Sequence, residues 1–91
     1  MAAVTVTSGY PVVHSLGDKA LYIWRLTDVD DAETLATGLG TRIISYAVNW
    51  TGNPGTQASG GGHSALSSGT ITFYPSSDDL GADVWVLADG A

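Results

Sequence analysis

The chain has 91 residues and a formal charge of −6, from three Lys and Arg against nine Asp and Glu. That length supports one hydrophobic core, with net stability on the order of 5–10 kcal/mol. Three scattered cations, Lys19, Arg25 and Arg42, are too few to neutralise a run of phosphates, so nucleic acid and anionic membrane surfaces are excluded as partners.

Cysteine is absent, which rules out disulfides, thiolate metal sites and cysteine nucleophiles. No apolar run is longer than Ala20 to Trp24, which is far short of the ~20 residues of a membrane helix. The opening "MAAVTVTS" has neither a basic n-region nor an apolar h-region, so a signal peptide is not expected.

The first element is "AVTVTS", in which Val4 and Val6 alternate with Thr5 and Thr7. A period of two is the mark of a strand. Two roles are open to residues 1–8. They form an ordinary edge strand of the domain, or an arm whose Val4 and Val6 pack on a neighbouring subunit. Next comes "YPVVHSL", where Pro11 has no N–H to donate and so marks an edge strand or a strand start. Gly17-Asp18 is a turn signal.

"KALYIWRLT" (19–27) is the strongest strand pattern. Tyr22, Trp24 and Leu26 share one face, and Leu21, Ile23 and Arg25 the other. Apolar residues on both faces predict a central strand covered on both sides.

"LTDVDDAETLATGLG" (26–40) gathers Asp28, Asp30, Asp31 and Glu33. As a calcium loop it fails in three places. Asp31 is off register, Glu33 stands where the turn glycine is needed, and Leu39 stands where the distal glutamate is needed. Asp30 and Glu33 have capping-box spacing, and Gly38 could end a helix of about seven residues. The plainer alternative is a polar crossover with its acids in water. At most one short helical turn is expected, near residues 30–37, and no metal.

"RIISYAVNW" (42–50) places Ile44, Tyr46, Val48 and Trp50 on one face. Residues 51–69 are rich in Gly and Ser and read as one long mobile loop. "TITFY" and "DVWVLA" are the closing strands, joined by the turn-rich "PSSDDLGA". Short strands with Gly, Ser and Asp turns predict an all-β, single-domain fold, a small antiparallel sandwich or barrel spanning 1–91.

Catalytic chemistry finds little support. His14 and His63 have no paired acid or activated serine in any recognisable spacing. "SGGGH" lacks the lysine of a phosphate loop, and "NWT", though a glycosylation pattern, lies in a strand. No catalytic residue, cofactor or metal site is assigned. Trp24, Trp50 and Trp85 could form a sugar-binding platform, but strand alternation favours core or interface packing. The candidate interaction residues are therefore Val4, Val6, Trp24, Trp50 and Trp85.

The order of short motifs resembles that of the small β-rich proteins that tailed bacteriophages encode near their major capsid protein. The residues concerned are Met1 to Ser8, Gly17-Asp18-Lys19, Thr37-Gly38-Leu39, the Gly-rich segment, and Gly69 to Phe73 before a final strand. The resemblance implies a non-enzymatic virion component of the capsid decoration or cement type. It would be made in the host cytoplasm and bind the major capsid protein on the outer shell. It also implies a homo-oligomer, with a trimer at threefold junctions. A head–tail connector or tail component is the alternative within the virion. A carbohydrate-binding module is the alternative from another class.

Overall fold

The computed structural model describes residues 2–51, 62–75 and 80–90. They form an all-β sandwich of two antiparallel sheets. The strands are β1 (Thr5–Val6), β2 (Val12–Leu16), β3 (Lys19–Val29), β4 (Glu33–Ala36), β5 (Ile43–Thr51), β6 (Gly62–Ser67), β7 (Thr70–Pro75) and β8 (Leu80–Asp89). The larger sheet runs β1-β3-β8-β5, with β2 also on β3; the smaller runs β4-β7-β6.

Strand β3 is the centre of the larger sheet, as its pattern predicts. It pairs with β8 along one edge and with β2 and β1 along the other. Its inward side chains Ala20, Trp24 and Leu26 are buried, and so are Leu80, Ala82, Val84, Val86 and Ala88 of β8. Ile71 and Phe73 of β7 and Leu35 of β4 meet them from the smaller sheet. This is the two-period pattern of a sandwich, apolar inward on facing sheets.

Two bulges decide which residues enter that core. Between Leu26 and Val29 the register against β8 shifts, and Asp28 adopts a φ of 52°. An unbroken strand would aim Asp28 inward and Val29 outward. The extra residue reverses them, so Val29 is buried and Asp28 is exposed. The second bulge lies between Ile43 and Ser45. It corrects the simple alternation expected of β5. Ile43 packs on the core, and Ile44 is expelled to solvent.

The acidic stretch folds as a turn between sheets. The Glu33 carboxylate accepts from the Asp30 backbone N–H at 2.8 Å, and the Glu33 N–H donates to the Asp30 carbonyl at 3.2 Å. The first is the reach-back half of a capping box and the second an ordinary turn bond, and no helix follows, because residues 33–36 pair with β7. No helical turn forms near 30–37, within the expectation of at most one, and the stretch is the crossover that the plainer reading describes. A single 3-10 turn appears instead at Gly40–Arg42, the one helical element among the described residues.

The loop expected over 51–69 is also shorter than the composition suggests. Gly62–Ser67 is a strand that pairs with β7 through a tight turn at Ser68-Gly69. Residues 52–61 lie outside the described residues, and the mobility expected of them with them. That turn is tied to the end of the neighbouring strand β4 in the same sheet. The Thr37 hydroxyl donates to the Gly69 carbonyl at 2.6 Å. A Cβ on Gly69 would sit 2.7 Å from the Gly40 nitrogen, at a φ of +82°, so only glycine fits there.

Residues 2–8 do not form an outward arm. Val4 donates its N–H to the Thr34 carbonyl at 2.9 Å, and Thr34 donates to the Ala2 carbonyl at 3.1 Å. Thr5 and Val6 then pair with Thr27 and Leu26 of β3. The segment crosses from the smaller sheet to the larger and joins them along one side. Val4 is buried at 9 % exposure, inside the domain's own core.

Candidate interaction face

The five proposed interaction residues fall in different places. Val4 and Trp24 are core, with Trp24 only 5 % exposed, which corrects their assignment. Val6 and Trp50 are half-buried and packed against the core, and Trp50 meets Phe73 edge-on at 6.1 Å. Trp85 alone stands out, at 47 % exposure. The three indoles do not share a surface. Trp24 and Trp50 point into the sandwich, while Trp85 lies on the opposite face of the larger sheet, so they cannot form one sugar platform.

The face around Trp85 is built by register. Residues paired across antiparallel strands point to the same side. Val12, Ile23, Trp85 and Ala47 therefore make one row across β2, β3, β8 and β5. His14, Leu21, Leu87 and Ser45 make the next row. The centre of the outer sheet face is apolar, although Leu21, Ile23 and Leu87 are only half-covered by their neighbours. The expectation that β3 is covered on both sides is thus met on the inner side only.

Charge closes the face at both ends. Beyond the Trp85 row, the Arg25 Nε contacts Asp83 Oδ1 at 3.0 Å, and the Arg25 guanidinium lies 5.2 Å from the centre of the Tyr10 ring. Beyond the Leu87 row, the Lys19 ammonium lies 2.9 Å from Asp89 and 3.1 Å from Asp18. The hydrogen bonds that the Lys19 ammonium donates, to Asp89 first and then to Asp18, hold it above its ordinary pKa. The hydrogen bond from Lys19 holds the Asp18 carboxyl below its own. Asp83 likewise raises the Arg25 guanidinium. These shifts favour the charged forms of Lys19, Asp18 and Arg25.

Leu21, Ile23 and Leu87 were not among the residues singled out from sequence. A signal for them exists in β8. Its outward positions read Asp83, Trp85, Leu87, Asp89, and two charges on one parity identify the face away from the core. The apolar pair between them then marks uncovered surface.

Elsewhere the side chains offer little chemistry. His63 stacks on Tyr74 at 4.8 Å, a cross-strand pair on the smaller sheet, and the Tyr46 hydroxyl meets the Ser64 hydroxyl at 3.1 Å. Among the described residues, no three His, Asp or Glu side chains gather in a way that could hold a metal ion. Compared with known proteins, the chain matches no family model, no curated sequence and no solved structure.

Proposed function

We propose that this chain is a non-enzymatic structural protein of a tailed-phage virion, which binds the outer capsid surface and stabilises the shell as a decoration protein. The observation that carries the reading is the outer sheet face. It exposes Trp85 within an apolar centre and keeps its charges at the rim. That layout, an apolar core with a polar border, is how surfaces dock on other proteins. Tryptophan is also the residue type that most often anchors such contacts. The motif order from "MAAVTVTS" to "GTITF" supplies the phage assignment.

A decoration protein works by burying surface across subunit junctions. Each contact adds only a little, but it is repeated over the shell and resists outward strain. Antibody labelling of intact particles, viewed by negative-stain microscopy, tests the reading. Label over the whole shell is expected. Label at one pole would assign the chain to the connector or tail, and unlabelled particles would end the virion reading.

A further inference from the structure

We infer that the Trp85 face pairs with the same face of a second copy, about a two-fold axis that runs parallel to the strands between β3 and β8. The inference rests on reading this surface as a docking face and names its occupant; with the face so covered, the dimer would meet the shell through surface outside it. Three observations carry it.

The first is charge. Lys19 and Arg25, two of the chain's three cations, lie on this face with Asp83 and Asp89, and Asp18 joins them at the Lys19 rim. These groups sum to −1, against −6 for the chain. Two acidic molecules repel least where both are nearly neutral.

The second is the arrangement of those charges. Arg25 and Lys19 are both on β3, and their partners Asp83 and Asp89 are both on β8. An axis parallel to the strands lays β3 of one copy over β8 of the other, row on row. Arg25 then faces Asp83 of the second copy, Lys19 faces Asp89, Ile23 faces Trp85, and Leu21 faces Leu87. An axis across the strands would set Arg25 over Lys19 and Asp83 over Asp89, which is repulsive. The pattern is self-complementary for one two-fold and not for the other. Aligned sheets packed about 10 Å apart tolerate this stacking.

The third is the sequence of β3, which carries apolar residues on both faces as doubly covered strands do. A second copy supplies the missing cover.

The size of the face sets the strength. Four strands about 4.8 Å apart, over some six residues of about 3.4 Å, give roughly 400 Å² per copy. A standard interface buries about 800 Å² per partner. The pair is therefore weak, and association should rise between roughly 10 µM and 1 mM.

Sedimentation equilibrium over that range tests the inference, with circular dichroism to check folding. The wild-type chain is expected to dimerise, and Trp85→Thr to weaken dimerisation at least tenfold. The Arg25→Asp variant has two acids in its rim row, and the Asp83→Arg variant has two cations. Each alone should stay monomeric, and an equal mixture should associate. A wild-type chain that remains monomeric at about 1 mM, a mixture that fails to associate, or an Arg25→Asp variant that dimerises more tightly would overturn the inference. Shell binding is scored separately. Wild-type monomer that needs Trp85 to bind shells would overturn the inference and assign the face to the capsid protein. Dimer that never binds shells would support the inference and remove the functional reading.

Discussion

Replacing Phe73 by Ala should cost about 3–5 kcal/mol, a large part of the stability of a domain this small. Phe73 is fully buried and the largest of the side chains so enclosed. It sits on the middle strand of the smaller sheet, between Glu33 of β4 and Ser64 of β6. Its ring reaches the Trp50 indole of the larger sheet at 6.1 Å and 87°, the edge-on geometry that aromatic pairs favour. Truncation removes the transfer energy of the ring and leaves a cavity between two sheets whose backbones are fixed by their own ladders. Collapse into that cavity is limited. At about 4–8 °C per kcal/mol, the melting temperature should fall by more than about 12 °C. Calorimetry measures this directly. A Phe73→Ala protein that melts within a few degrees of wild type would mean that the two sheets do not share this core.

Deleting residues 2–8 should unfold the domain or leave it melting far below wild type. Burial of Val4 alone is worth about 1.5–3 kcal/mol. The deletion also removes the Thr34 bonds to Val4 and Ala2, the bond from the Thr7 N–H to the Arg25 carbonyl at 2.7 Å, and the β1 pairing. Two sheet edges lose their partner, and the seam between the sheets opens beside Leu26. An interaction arm would behave in the opposite way. Its loss would spare thermal stability and abolish binding only. Thermal melts of the truncated chain, followed by circular dichroism, separate the two outcomes, and a truncated protein as stable as the full chain would restore the arm.

How much of this was legible in the residues depended on whether local pattern and tertiary pairing agreed. They agreed at β3 and β8, where runs of large apolar side chains read as strands and pair as the two central strands of the larger sheet. They disagreed at β6. "GHSALS" has the composition of a loop and little β-propensity, and it is a strand because the Ser68-Gly69 turn delivers it to β7. The Asp30–Glu33 spacing foretold a real hydrogen bond but could not choose between a helix start and the crossover, since the same bond also closes a tight turn. Ile44 and Val29 were decided by bulges, which shift parity by one residue and have no clear mark in the sequence. Trp85 was visible as a candidate. Its neighbours Leu21, Ile23 and Leu87 were passed over, because the mark of their face, Asp83 and Asp89 on one parity of β8, shows only when those positions are read together.

Quantitative mass spectrometry of purified, DNA-filled particles tests the decoration reading most directly. The chain should be present at a copy number of the same order as the major capsid protein, because it is proposed to cover the whole shell. Its absence from such particles, or its presence at only a few copies each, would contradict the proposed function.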